Sequence, residues 1–432
     1  HGEYRRQRQM CIRDSVGTSA LRGAIASTFS KGPVGSIVNI GSERELIDTF
    51  GTPVEANAAD WIVASEFLRY GGQLAVVRAT TGVENATASG TGVLIADDAA
   101  FDSGVTNEKF AARDAGTEGN NLRVVIVDKV ADVKMTKATA HGLSVGDQLS
   151  DGATTDHEVT VVIDANTVGI KEGGGTAVTG NGFTKSAFTS SDWNALPIGD
   201  TGLTYKAIGA RPGTSAYASE RFLSADEVHV AVVDTSTNTI VERNLFLSKL
   251  SDGKTPEGAS SYWKDYINEF SSFIYAGAAL TSTEFTTAGE DSGAAAASYG
   301  ATSASPKILA YIKSTAGGAL SGGTDDYGYT AGEIGSAYNL FLDTEETTVD
   351  FVLMGGSMGN ESDTIAKAGS VAGVANTRKD CIAFISPYTG NQIATSGGTP
   401  LTAALQLSNT IDFFNNIASS SYVVKDLSLI HI

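Results

Sequence analysis

The sequence is poor in cysteine, proline, histidine and positive charge, and each scarcity closes off a class of protein. Its two cysteines, Cys11 and Cys381, stand far apart, so neither a disulfide framework nor a thiolate metal site is available. Cys381 falls within an apolar strand and reads as a small buried hydrophobe. With 30 basic against 49 acidic residues the formal net charge is -19, which opposes nucleic acid and anionic membranes and favours solubility. No run approaches the roughly 20 apolar residues that a membrane span needs, the best being Phe273 to Leu280. No signal peptide is recognisable, and the first residue is His1.

Glycine, by contrast, is abundant at 49 against 8 prolines, and serine, threonine and alanine fill the loops. That composition suits many turns and strands with close backbone approach, so parts of the chain are expected to be β-rich. At 432 residues and 41% hydrophobic content there is room for two or three domains with real cores.

The two ends read as foreign to the rest. Arg5, Arg6, Arg8 and Arg13 crowd into residues 1–14 of an otherwise acidic chain, and that stretch has no apolar period. It and the tail 427–432 resemble translated sequencing-adapter read-through, the competing reading of the first being a short basic arm. Both are set aside from the fold argument, and the expectation is a protein truncated at both ends.

In the first part of the chain, Gly35 to Ile40 reads as a strand. Ser42 caps a helix whose apolar side is Leu46, Ile47 and Phe50, ended by Gly51 to Pro53. A second helix is expected over 58–70, capped by Asn57, with Trp61, Val63, Ala64, Phe67 and Leu68 on one face and Ser65, Glu66 and Arg69 opposite. Gln73 to Ala79 is too continuously apolar to be one-sided and reads as a buried strand. The texture changes after Thr81, which puts a domain boundary near residue 82.

Beyond it, Leu122 to Lys129 is a strand, and 135–186 reads as a small β-module with strands Val159 to Ile163 and Thr167 to Lys171 about the turn Asp164 to Asn166. Val228 to Asp234 and Thr239 to Leu247 form a hairpin. Ser260 to Phe273 is expected to be helical, with Trp263, Ile267, Phe270 and Ile274 at helical spacing. Ala288 to Ser305 reads as a low-complexity linker or exposed loop.

From Lys307 the pattern alternates again, with strands over 307–312, 349–354 and 381–386, intervening helices and a last helix over 401–417. Thr330 to Glu333 is a capping box, in which the threonine side chain accepts the N3 amide and the glutamate reaches back to the cap amide. Ile334, Ala337, Tyr338 and Phe341 follow on one face. The expected fold class is α/β plus β: a discontinuous α/β core from 16–82 and 305–425, split by an inserted β-rich domain over 83–304 with the module 135–186 nested inside it.

Gly355 to Gly359 matches G-x-S-x-G directly after a strand and before a helix, the setting of a hydrolase nucleophile at Ser357. That chemistry needs a histidine base, and after Gly359 the sequence holds only His431, in the foreign tail. His141, His157 and His229 are scattered without metal-ligand spacing. Asp325, Asp326, Asp343, Glu345 and Glu346 read as solvated loop charge, a divalent-ion site being the less favoured alternative. The glycine clusters lack the lysine-serine/threonine ending of a phosphate loop, and Gly90 to Ile95 lacks the third glycine of a dinucleotide turn. No catalytic, cofactor-binding or metal site assembles, so an enzyme is not expected.

The stretch from Val16 to about Lys425 resembles the contractile phage tail sheath family. Near the start the resemblance rests on Gly32 to Val38, Glu45 to Gly51 and Phe67 to Arg78. Near the end it rests on Leu320 to Gly323, Thr330 to Glu333 and Arg378 to Pro387, and it is weakest over 83–300. It implies a structural subunit, without cofactor, that polymerises with its own copies as stacked hexameric rings around a tail tube. Contraction, a switch between two packings of the same subunits, drives the tube through the host envelope. The resemblance further implies tube, baseplate and terminator proteins as partners, no nucleic acid or membrane insertion, assembly in the host cytoplasm and residence in the virion. It also implies terminal arms beyond both ends of this chain, so the 432 residues alone are not expected to form tubes. The rival readings are the sheath of a contractile injection or secretion system, a serine hydrolase using Ser357, and a β-rich adhesin, the last disfavoured by the capped helices of 305–417.

Overall fold

The computed structural model describes residues 21–79, 82–96, 100–101, 108–149, 157–171, 182–278, 280–281, 284–285, 293–313, 318–391 and 401–425. The two terminal stretches read as foreign lie outside them. Helices and mixed sheets make an α/β-plus-β protein. The chain divides into two compact units, His1–Val83 with Asp325–Ile432, and Glu84–Thr324.

The first unit is built on a six-stranded sheet in the order Val423–Lys425, Ile382–Ile385, Phe351–Leu353, Arg22–Ser27, Gln73–Arg78, Ile37–Ile40. Five strands run parallel, and Ile37–Ile40 pairs antiparallel at one edge. Side chains alternate across it as the strand period requires. Ala24 and Ala26 join Val352, Ala383 and Ile385 in a core completed by Ile334, Tyr338 and Val371. Ile25, Leu74 and Val76 face the other way, against Leu46, Phe50, Trp61 and Leu68. Arg22–Ser27 and Gln73–Arg78 are thus covered on both faces, which is why Gln73–Arg78 reads as an unbroken apolar run, whereas Arg22–Ser27 is not among the expected strands.

The helices start where the sequence predicts, with one difference in how. Ser42 accepts from the Glu45 amide (3.2 Å) while Glu45 reaches back to the Gly41 amide (2.8 Å), and Gly51, at φ 82°, closes that helix at Glu43–Phe50. The expected box at Thr330 is present: Thr330 Oγ1 accepts from the Glu333 amide at 3.2 Å, and Glu333 Oε2 accepts from the Thr330 amide at 2.8 Å. Asn57, expected to cap Ala58–Arg69, makes no such bond. Its side chain turns back to accept from the Val54 amide and to donate to the Thr28 carbonyl, fixing the approach loop instead. Ser65, expected on the solvent side, is buried, because its hydroxyl donates to Glu43 of the neighbouring helix at 2.8 Å.

The second unit holds antiparallel sheets. Leu122–Val127 pairs with Glu227–Asp234, which pairs in turn with Thr239–Ser248, and the predicted hairpin is present with two register shifts. Asn85–Thr87, Phe110–Ala115 and Ile274–Ala276 form a second three-stranded sheet. Five further strands between Val133 and Ala187 form a sheet of their own, including His157–Asp164 and Thr167–Lys171 about the expected turn.

Three expectations fail in this unit. The helix over 260–273 is confined to Trp263–Phe270. Ser271 accepts from the Phe273 and Ile274 amides in a tight turn, and Ile274 then enters a strand opposite Ala112, so β-pairing overrides the helical spacing of the apolar residues. The strand over 307–312 shrinks to Lys307–Ile308, paired with Leu223–Ser224 and not with the six-stranded sheet. Within the stretch expected to be an exposed loop, the described residues bury Ala296 and Tyr299 against Leu223, Leu250 and Leu309.

Candidate functional site

In an open parallel sheet, ligands bind beyond the carboxyl ends of the strands where the winding reverses. Here the reversal lies between Arg22–Ser27, whose chain continues toward Gln73–Arg78, and Phe351–Leu353, whose chain continues toward Ile382–Ile385. Asp60 enters that point from the first turn of its helix, and Lys367 from the middle of Glu361–Arg378.

The two meet at 3.3 Å with side-chain exposures of 6% and 0%. Lys367 Nζ also donates to the Tyr329 hydroxyl and the Gly356 carbonyl, both at 2.9 Å. Asp60 Oδ1 accepts from the Gly356 amide (2.6 Å) and Oδ2 from the Ser27 hydroxyl (2.5 Å). Burial opposes the charge on Lys367, but Asp60, Tyr338 and Tyr329 outweigh it and hold the ammonium above its ordinary pKa. Burial, reinforced by Asp60, raises Tyr329. Every group is partnered within the chain, so the crevice is closed by its own ion pair.

The same network accounts for the two glycines after the strand. Gly355 sits at φ 71°, and a Cβ there would stand 1.9 Å from Asp60 Oδ1. A Cβ on Gly356 would meet that of Ala59 at 2.7 Å. The backbone must come this close for its amide and carbonyl to reach Asp60 and Lys367.

Ser357 follows immediately but takes no part in the network. It lacks the positive φ of a strained turn, its hydroxyl pairs with that of Thr389 at 2.8 Å, and the described histidines belong to the other unit. His141 Nδ1 accepts from the Leu143 amide and Nε2 donates to the Asp164 carbonyl, a turn lock. His229 Nδ1 accepts from the Phe246 amide, so Nε2 donates to the Ala210 carbonyl, and burial lowers its pKa. His157 is buried in its strand.

The acidic loop residues cap their own turns: Asp343 accepts from the amides of Glu345 and Glu346, and Asp326 from that of Gly328. Cys381 is buried, and burial pushes its thiol up to about 11. Among the described residues no three His, Cys, Asp or Glu side chains group as metal ligands, and no helix is long and apolar enough to cross a membrane.

Sequence reasoning singled out Ser357 and missed Asp60, Lys367, Ser27 and Tyr329. A signal was present in charges set among apolar or small neighbours, Asp60 beside Trp61 and Lys367 between Ala366 and Ala368.

The chain is similar to curated tail sheath proteins of three phages. It is 24% identical over 291 residues to that of Salmonella phage ViI, covering 59% of this chain and 45% of that protein. With that of Enterobacteria phage T4 it shares 22% identity over 445 aligned residues, covering 97% and 64%. A stretch of 84 residues is 37% identical to that of a Vibrio phage, KVP40, covering 18% and 12%. The chain therefore spans less than two thirds of the length of each of these relatives. Among solved structures, sheath tail proteins from Listeria innocua and Desulfitobacterium hafniense overlap with TM-scores of 0.38 and 0.37 at 10% identity. These overlaps cover 96% of this chain and 60% of the first structure, and 91% and 57% for the second, at scores too low to equate the folds. No protein-family model matches the chain.

Proposed function

We infer that this chain is a contractile phage tail sheath protein, a structural subunit which polymerises as stacked hexameric rings around the tail tube and contracts to drive the tube through the host envelope. The observation that carries the reading is the likeness to the T4 tail sheath protein across 97% of the chain. A crevice filled by a buried ion pair suits a scaffold whose work lies in contacts between copies. On this reading the sheath core is drawn from 16–82 and 305–425 with 83–304 inserted as an outer domain, a division supported by the compact units His1–Val83 with Asp325–Ile432 and Glu84–Thr324, which move the second boundary from 304 to 324. Its partners are further copies of itself, the tube, the baseplate and the terminator, in a virion assembled in the host cytoplasm. The curated relatives named above are phage proteins, which favours a phage tail over a secretion-system sheath.

The test is assembly of the product of the open reading frame that contains this sequence. Expressed alone, it forms sheath-like tubes in negative-stain micrographs, with hexameric rings in cross-section. A product that stays monomeric at all concentrations, or tubes without sixfold symmetry, overturns the reading.

A further inference from the structure

Five antiparallel strands lie between Val133 and Ala187, in the order Phe183–Ala187, Val133–Lys137, Thr167–Lys171, His157–Asp164, Gln148–Leu149. They have a core of their own, in which Met135, Val159, Val168, Ile170 and Phe183 are buried together. The chain enters and leaves this sheet side by side: Val133 pairs with Ala187, and just below, the Phe188 amide donates to the Asp132 carbonyl at 3.2 Å.

Arg211, distant in sequence from both strands, grips this neck. Its Nε donates to the Lys129 carbonyl (3.1 Å), Nη1 to the Phe188 carbonyl (2.8 Å) and Nη2 to the Ala131 carbonyl. The guanidinium also lies over the Phe188 ring at 5.0 Å. One planar fork therefore binds the incoming and the outgoing strand at once, a task that its fixed donor geometry suits and a lysine cannot perform. Lys134 with Asp192 (2.6 Å) and Tyr311 with Asp132 (2.6 Å) brace the same neck. Away from the neck, the sheet meets the rest of its unit through one flank, where half-buried Val161 and Ile163 pack on the cluster around Trp193 and Glu158 pairs with Lys313 at 3.0 Å.

We propose that residues 133–187 are a separable module that the remainder of its unit does not need in order to fold, and that Arg211 is the residue that fixes the module's stance. The described strands pair with one another and bury a core of their own, and they join the unit through the neck at Asp132 and Phe188 and the flank at Val161, Ile163 and Glu158. This holds whether or not the protein forms a sheath.

Two experiments on the whole chain test it. In the first, 133–187 is replaced by Asn-Gly, a two-residue turn matched to the paired positions Asp132 and Phe188. The shortened protein is expected to melt in one cooperative transition per unit, within about 5 °C of the parent. In the second, Arg211→Met is followed by hydrogen exchange. Amides over 129–137 and 183–188 are expected to exchange about tenfold faster or more, while those of 159–162 and 228–233 keep their parent rates. Loss of the cooperative transition in the shortened chain, together with exchange in the intact chain that opens 157–171 and 227–234 as one unit, overturns the proposal. Unchanged exchange at the neck in Arg211→Met overturns the role of the arginine.

Discussion

Lys249 Nζ stands 2.7 Å from Asp128 Oδ2 inside the second unit, with side-chain exposures of 2% and 0%. The ammonium fills its other two positions with the carbonyls of Ala225 (3.0 Å) and Ala310 (2.7 Å). The carboxylate accepts from the amides of Val130 (2.8 Å) and Ile312 (2.9 Å). Among the described residues each unit therefore contains a buried lysine-aspartate pair: in the second the remaining bonds go to backbone, and in the first they are shared between the Gly356 backbone and the hydroxyls of Ser27 and Tyr329.

Such a pair contributes little over an apolar packing of the same shape, but breaking it strands a charge. Lys249→Met is accordingly expected to destabilise the second unit by about 3–5 kcal/mol, read as a shift in its urea midpoint. Replacing both partners by apolar residues does not restore stability, because Asp128 also satisfies two amides that no methyl group can. A double variant as stable as the parent would show that the amides do not depend on it.

At Gly355 the backbone conformation and the space above it both exclude a side chain. Gly355→Ala is expected to lower stability of the first unit by at least about 2 kcal/mol, since the methyl adds backbone strain and displaces Asp60. Gly359, where nothing lies within 4 Å of an added Cβ, is the control. Gly359→Ala should stay within about 0.5 kcal/mol of the parent in the same thermal melts.

His229 supplies a pH dependence of known sign. Burial depresses its folded pKa below the ordinary 6.5, so between those two values the unfolded chain binds more protons. The contribution is full above pH 6.5 and is lost as pH falls toward and through the folded value. In chemical denaturation at pH 7.5 and 5.5, the parent should lose more stability than His229→Gln. Equal losses would place the histidine charge elsewhere.

Ser357 is expected to be chemically ordinary. A fluorophosphonate probe should leave it unlabelled, and Ser357→Ala should melt close to the parent, since the bonds removed are half-exposed ones to the hydroxyl and the amide of Thr389. Specific labelling at this position would revive the hydrolase reading.

Legibility in the sequence followed the range of the interaction. The Thr330 box and the Ser42 start are contacts three residues long, and their donors and acceptors can be read in line. The Asp164 to Asn166 turn is equally local, the Asn166 amide donating to Asp164 Oδ1. Asn57 misled because an asparagine side chain bonds backbone in either direction, and here it served the loop before the helix. Ser65 misled because its partner, Glu43, sits on another helix. The helix over 260–273 failed because apolar spacing does not report the strand that Ile274 finds at Ala112. Ser357 was visible through a motif, whereas Asp60 and Lys367, the groups that organise the same turn, share no motif and stand 307 positions apart.

That separation sets a clock. At a synthesis rate of about 5–20 residues per second, Asp60 leaves the ribosome roughly 15–60 s before the lysine that neutralises it. For most of that interval Arg22–Ser27 can have Gln73–Arg78 beside it but not Phe351–Leu353, while all of Glu84–Thr324 is emerging. The nascent chain therefore carries an unmatched carboxylate and an open strand edge through the making of an entire second unit, which is complete in sequence before the first can close.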